Sequence, residues 1–365
     1  MSLFKKVLLH FIWIGWLSFT LFSRAASAED VLHVYNWNDY IGPTAIAQFE
    51  KECHCRVEYD TFGDSDELLA RLESRTKIYD VLVPTGNAVE TLIKSNRLKP
   101  IDKTNLPKIK NTKAEFLNLA FDKGNVYSVP YGYSLTVLGF NEEKLQSLNI
   151  PTNTFAALFD PRYLEKLRGK VTVLDSPNEL FAAALKYKGY AANDIDPRHW
   201  AEAKQIVIAA KPYWQAFNNQ TYGRGLVNGS IWLALGYSND FFQASQRAKR
   251  ENRKWHIGFA VPREGAVFAL DNMVIHKNSP RADLAHKFIN FNLGGNVAAE
   301  LSNTTGSGSP NSLAMGLLDP LVANNRGIYP DYQTMKKLEM LTDLPKEQRR
   351  ARMRLWTEIK MKHSD

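Results

Sequence analysis

The chain has 365 residues, with 46 Lys and Arg against 38 Asp and Glu, a formal charge of +8, and 12% aromatic residues. That length suits two domains with ample core rather than one small module. The positive balance is mild and spread along the chain, and its one cluster, Arg349, Arg350, Arg352 and Arg354, reads as a solvated helix face, so nucleic acid is not an expected partner.

Residues 1–28 read as an export signal: Lys5 and Lys6, an apolar run from Val7 to Phe22, and Ala26-Ser27-Ala28 as a small-residue cleavage pattern. The run falls short of the ~20 residues of a membrane span. No cysteine follows the cleavage point to take a lipid. The expected product is therefore a free periplasmic protein starting at Glu29, with 337 residues and a formal charge of +5 once Lys5, Lys6 and Arg24 are removed.

From there strands and helices alternate. Val31 to Tyr35 reads as a strand, Pro43 to Glu52 as a helix, Arg56 to Thr61 as a strand, and Ser65 to Thr76 as a helix with Asp64 as its cap and Glu67 at the third position. Tyr79 to Val83 is a strand and Ala88 to Ser95 a helix. The pattern restarts after Tyr133, with strands at Thr136 to Phe140 and Lys170 to Leu174 and helices at Asn178 to Lys188 and His199 to Trp214. A strand at Ile231 to Leu235, a helix at Asn239 to Glu251, strands at His256 to Val261 and Asp271 to His276, and a helix at Pro280 to Phe291 follow. The tail from Gln333 to Lys362 reads as helical with a break near Pro345. Repeated βα units imply mostly parallel sheets covered by helices, here in two α/β lobes. With no flexible linker between the halves, the chain is expected to cross between lobes more than once.

Cys53 and Cys55 flank His54 between a helix and a strand. Three adjacent candidates cannot close a tetrahedral metal site unaided. A Cys-x-Cys disulfide is open to the pair in an oxidising compartment, though so small a ring would be strained, and a local surface feature is preferred over a functional one.

Open α/β sheets bind ligands beyond the carboxyl ends of their strands. Four stretches fall there: Asn36-Trp37-Asn38-Asp39-Tyr40, Pro84-Thr85-Gly86-Asn87, Asp175-Ser176-Pro177-Asn178-Glu179, and Gly236-Tyr237-Ser238-Asn239-Asp240. Three of the four carry a carboxylate, and two set an aromatic ring beside it. An alkylammonium ion uses both, since carboxylates accept its charge-assisted hydrogen bonds and ring faces attract the cation and cover its methylenes. Each residue also has a structural explanation: Glu179 could complete a capping box opened by Ser176, Asp240 could answer the helix dipole, and Trp37 and Tyr40 could be packing residues. An anion site at those helix starts would use Ser, Thr, Gly and Arg instead. No nucleophile elbow, His-Glu-x-x-His motif or phosphate loop is present, so neither catalytic residues, metal ligands nor a cofactor are expected. A carboxylate-dependent hydrolase, a binder of another small solute, and a ligand-loaded partner for a sensor are the rival functions.

The runs Tyr35-Asn36-Trp37-Asn38-Asp39-Tyr40-Ile41, Asp80-Val81-Leu82-Val83-Pro84, Val129-Pro130-Tyr131, Gly236 to Asp240 with Gln243-Ala244-Ser245, Pro262-Arg263-Glu264-Gly265-Ala266, Gly327-Ile328-Tyr329-Pro330 and Trp356-Thr357 resemble the periplasmic polyamine-binding proteins that serve ABC importers for putrescine and spermidine. The resemblance spans nearly all of the mature chain. It implies a type II periplasmic-binding-protein fold: two α/β lobes, each a mixed, mostly parallel sheet flanked by helices, with hinge crossovers. Residues 29–135 and 263–306 would form the first lobe, and 136–262 and 307–365 the second. It implies a monomer that takes a small cationic ligand and hands it to an inner-membrane ABC permease. By position, it implies that Trp37 and Tyr40 form an aromatic wall, that Asn38, Asp39 and Thr85 help close the site, and that Glu179, Asp240 and Asp271 hold ammonium groups. Tyr237 stands where the family usually has Trp. Ala269 and Ser307 stand where rings are expected, and the loss of two rings should widen the pocket and weaken a plain diamine by ~1 to 3 kcal/mol.

Overall fold

A computed structural model describes residues 30–362 apart from 64, 75 and 76. The export signal, the Asp64 cap and the helix end at Thr76 lie outside the described residues. In chain order the strands are β1 (Val31–Trp37), β2 (Arg56–Phe62), β3 (Val81–Leu82), β4 (Leu98–Lys99), β5 (Ser128–Asn141), β6 (Val171–Val173), β7 (Ala216–Phe217), β8 (Leu233–Tyr237), β9 (Ile257–Ala260) and β10 (Phe268–His276). They form the order β2-β1-β3-β10-β5-β8-β6-β7, with β4 added to β10 and β9 added to β5. The outer strands pair in parallel, β2 and β3 with β1, and β7 and β8 with β6. The central strands β10 and β5 run antiparallel to each other and to their neighbours.

All fourteen residues of β5 are buried, and the strand serves two sheets. Ser128 to Leu135 pair with β10, while Thr136 to Asn141 pair with β8 and β9. The cores divide accordingly. Leu32, Val34, Phe49, Phe288 and Ile289 fill one face of the first sheet, and Tyr35, Phe62, Leu68, Leu82 and Val274 fill the other. Burial on both faces is what a parallel strand between helical layers requires. Beyond Leu135 a third core forms around Leu138, Leu180, Phe181, Trp200, Leu233 and Phe241.

Three features depart from the sequence reading. The strand expected at Thr136 to Phe140 is the second half of a much longer one, because Pro130 and Gly132 are accommodated in β5 next to a bulge. Gly295–Thr305 is a helix hidden by its glycine start and its Asn-Thr-Thr end. Residues 336–345 are a strap rather than a helix: Glu339 N–H donates to Ala266 O at 3.0 Å and Glu339 O accepts from Phe268 N–H at 2.9 Å, and only Lys346–Met361 is a long helix. The bridges of Gly308 to Tyr133 and of Asn311 to Thr112 tie the segment after Thr305 to the first half of the molecule.

Cys53 and Cys55 are joined by a disulfide that closes the turn between the helix Ala45–Cys53 and β2, with His54 in the left-handed region at φ 53°. No group of His, Cys, Asp and Glu among the described residues is arranged to hold a metal ion.

The entry to β5 is organised by one buried carboxylate. Asp122 accepts from the backbone N–H groups of Val126 (3.1 Å), Tyr127 (2.9 Å) and Ser128 (2.8 Å) and from the Ser128 hydroxyl (2.7 Å). Asp122→Ala should leave these donors without a partner and cost on the order of 3 kcal/mol, measured as a fall in the urea midpoint at unchanged slope.

Candidate functional site

A cleft of about 840 Å³ lies where the carboxyl ends of β1 and β8 and the start of the helix Pro177–Tyr187 face one another. Trp37, Asn38, Asp39, Tyr40, Thr85, Glu179, Tyr237, Asp240, Ala269 and Asp271 all line it. Ser307, the remaining sequence candidate, does not. It is fully buried, accepts from the Thr305 hydroxyl at 2.9 Å and lies behind Tyr40, so the residue expected to leave open space in the pocket is a packing residue.

On the first half of the molecule, buried Asn36 shapes the turn that presents both rings. Its Oδ1 accepts from Trp37 N–H at 2.8 Å and its Nδ2 donates to Tyr40 O at 2.8 Å. Tyr131 Oη adds a second bond to Tyr40 O at 3.0 Å. Asp39 takes a left-handed conformation at φ 51°, which Asp tolerates better than most residues, and stands exposed at the tip. Thr85 Oγ1 donates to Asn87 Oδ1 at 2.6 Å at the start of the helix Gly86–Lys94.

Asp271 enters from β10 at a register shift: it faces Gly132, whereas Asn272 faces Pro130, so Tyr131 is the extra residue. Bulges re-aim side chains in this way next to sites. Its carboxyl is only 4% exposed, and burial pushes its pKa up to about 8, against a smaller opposing pull from the Tyr40 hydroxyl and the Trp37 indole. Asp271 Oδ1, Tyr40 Oη and Trp37 Nε1 are all buried without a hydrogen-bond partner among the described residues.

The other half supplies two more carboxylates. Ser176 does cap the helix Pro177–Tyr187, accepting from Glu179 N–H at 3.4 Å, but the Glu179 carboxylate does not complete a capping box. It crosses to β5 and accepts from Thr136 Oγ1 at 2.8 Å. Burial raises its pKa to about 7. Asp240 stands in the first turn of the helix Ser238–Arg250, where burial lifts its pKa to about 6; the Tyr222 hydroxyl lowers it, and Asp39 across the cleft raises it again. Tyr222, 2% exposed, donates to Asp240 Oδ2 and accepts from Tyr237 N–H at 3.2 Å. Among the described residues no ion pair reaches Glu179, Asp240 or Asp271.

Sequence reasoning missed Tyr222 and Asn239, both of which line the cleft. Asn239 lay in a highlighted stretch. Tyr222 carried no signal, since it opens a short helix, Tyr222–Asn228, away from the four strand ends.

The cleft thus holds three desolvated acids, none with a counter-ion, beside half-buried Trp37 and Tyr237 and buried Tyr40. These acids suit a cation that supplies several N–H donors and an apolar body, while Arg224, Arg247 and Arg250 also line the cleft. A second cavity, of about 320 Å³ and lined by Lys249, Arg253, Trp255 and His256, lies elsewhere and contains none of these acids.

A family model described as bacterial extracellular solute-binding protein matches residues 44–325. A putrescine/cadaverine-binding protein of Pseudomonas aeruginosa is 46% identical over 337 residues, covering 92% of this chain and 95% of its own length. The putrescine-binding periplasmic protein PotF of Escherichia coli is 32% identical over 342 residues, covering 92% of each. Among solved structures, the spermidine/putrescine ABC transporter substrate-binding protein PotD of Streptococcus pneumoniae superposes with a TM-score of 0.78 at 26% identity, covering 91% of this chain and 99% of that one. The architecture is the type II periplasmic-binding-protein fold, as the sequence reading expected.

A carboxyl that folding keeps protonated stabilises the fold below its unfolded pKa, and that stability is lost as pH rises through the folded value. For Asp271 the window runs from about 4 to about 8. In the ligand-free protein the melting temperature of Asp271→Asn should match wild type at the acid end of that window, at about pH 4, and exceed it by several degrees at its alkaline end, at about pH 9, read by calorimetry between the two.

Proposed function

The chain belongs to the bacterial extracellular solute-binding proteins, and from that premise we propose that it captures a protonated polyamine between its two lobes and delivers it to an ABC importer. It is a binding protein, not an enzyme, so the hydrolase reading of its carboxylates is set aside. The observation that carries the choice of ligand is the set of buried Glu179 and Asp271 and half-buried Asp240, all with raised pKa and none ion-paired among the described residues. Burying such groups is unfavourable without a partner. An amine with two or more ammonium groups supplies that partner at separate points. Trp37, Tyr40 and Tyr237 would cover the methylenes and add cation-π attraction of ~0.5 to 2 kcal/mol each. That the P. aeruginosa relative is a putrescine/cadaverine-binding protein and the E. coli relative a putrescine-binding one supports the same ligand class.

Capture would proceed by hinge closure. Trp37, Tyr40 and Asp271 belong to one lobe, and Glu179, Tyr237 and Asp240 to the other. A ligand touching both favours the closed state by its differential affinity for it. The lobe division follows the strand pairing, with β5 crossing near Leu135 and the chain returning after Val261; the bridges of Gly308 and Asn311 favour keeping residues 308–311 with the first lobe. The export signal expected at residues 1–28 would place the protein, as a monomer, in the periplasm, facing an inner-membrane permease. Among the described residues no helix is long and apolar enough to cross a membrane.

Calorimetric titration should detect binding of putrescine, cadaverine or spermidine and none of a neutral sugar or a dicarboxylate. Asp240→Ala or Asp271→Ala should each cost about 2 to 5 kcal/mol, at least about thirtyfold in Kd. Unchanged affinity in both variants would remove them from the site. Affinity should also fall as pH drops from 8.5 to 5.5, because the ligand keeps its charge over that range while Asp271, Glu179 and then Asp240 take up protons. A flat profile would contradict the role given to these carboxyls.

A further inference from the structure

Resting on the reading that the cleft takes an organic cation, we propose that Asn239 is a specificity-determining residue: with Asp240 it forms a two-acceptor seat that selects a nitrogen bearing at least two N–H bonds, a primary ammonium or a guanidinium, over alkylated ammonium ions. Asn239 lines the cleft beside Asp240. Its Nδ2 donates to Asp240 Oδ1 at 3.2 Å, while its Oδ1 is buried and has no hydrogen-bond partner among the described residues.

The orientation of the amide follows from its neighbour. An ionised carboxylate accepts only, so the amide nitrogen must face Asp240 and the carbonyl oxygen must face away from it. The second oxygen of Asp240 is already engaged by the Tyr222 hydroxyl. What the pair offers a ligand is therefore one charged acceptor, Asp240 Oδ1, and one neutral acceptor, Asn239 Oδ1, on adjacent residues of one helix.

Donor counting then sets the selectivity. A primary ammonium has three N–H bonds and a guanidinium five, so either can serve both oxygens and keep a donor for another group. A tertiary ammonium has a single N–H and leaves one acceptor bare. A quaternary ammonium leaves both. A ligand that displaces ordered water from buried acceptors without replacing its hydrogen bonds loses affinity, and a buried acceptor without a donor is penalised more than a hydrogen bond between exposed groups is rewarded. At the other wall Asp271 Oδ1 is also without a partner, but the groups beside it, the Trp37 indole and the Tyr40 hydroxyl, are donors, whereas Asn239 adds a second acceptor beside Asp240. Selection by N–H count is thus assigned to the Asp240 end.

The test is titration of putrescine and N,N,N′,N′-tetramethylputrescine into the wild-type protein, Asn239→Ala and Asn239→Asp at pH 8, with melting curves to confirm folding. Wild type should prefer putrescine. Asn239→Ala should weaken putrescine about tenfold while changing the tetramethyl compound far less, compressing the preference, and Asn239→Asp, which keeps an acceptor at that point, should retain it. A preference unchanged in Asn239→Ala, or lost equally in both variants, overturns the assignment while leaving the polyamine reading in place. Wild-type protein that binds no amine overturns the polyamine reading itself, and this one with it.

Discussion

The unfavourable burial of negative charge in the cleft is the constraint around which the site is arranged. Asp271 and Glu179 are buried and Asp240 half-buried, and each has lost part of its tendency to ionise. In an isolated fold this is a liability, because a carboxyl kept protonated near neutrality reflects solvation that folding has removed. It becomes useful when a cation restores the missing interaction. Under the proposed function, stability given up in the empty state would reappear as affinity in the loaded one, and acids divided between two lobes would also favour closure.

The scaffold imposes this burial through a small number of local devices. Asn36 fixes the turn that carries Trp37 and Tyr40 by bonding to backbone at both ends of it. The bulge opposite Tyr131 aims Asp271 where a regular strand would not, and Pro130 fits there because it has no N–H to offer a ladder. Tyr222 links Tyr237 N–H to Asp240. Asp240 thus has one oxygen held by Tyr222 and the other accepting from Asn239 Nδ2. β5 passes from pairing with β10 to pairing with β8 between Leu135 and Thr136, and Thr136 carries the hydroxyl that holds Glu179.

Much of this was legible in the residues. The alternation of strand and helix gave the two lobes, and the rule that ligands gather at strand carboxyl ends brought out Trp37, Asp39, Tyr40, Glu179, Tyr237 and Asp240 together. The family resemblance gave Asp271 its expected role, and its apolar strand gave no hint of a bulge. What escaped was long-range. Tyr222 matters because of an oxygen 18 residues away, and the tail from 336 to 345 looks helical until Ala266 and Phe268 offer it backbone partners. The capping-box explanation of Glu179 was half right: the backbone behaves as a cap, but the carboxylate goes to Thr136, a choice that no spacing along one helix can encode.

The same distinction between local and long-range causes changes how the two missing rings are to be understood. Ala269 is half-buried and faces the cleft, so a ring there would occupy ligand space, and its absence leaves that space open. The absence of a ring at Ser307 has another origin. Gly306, at φ 72°, ends the helix Gly295–Thr305, and a Cβ at Gly308 would fall 1.9 Å from the Tyr133 ring. Between them Ser307 is fully buried with its hydroxyl bonded to Thr305. Backbone and Tyr133 are packed too closely there for a large side chain, so the run of small residues answers to the interior of the protein. Of the two positions, only Ala269 lines the cleft, two residues before Asp271.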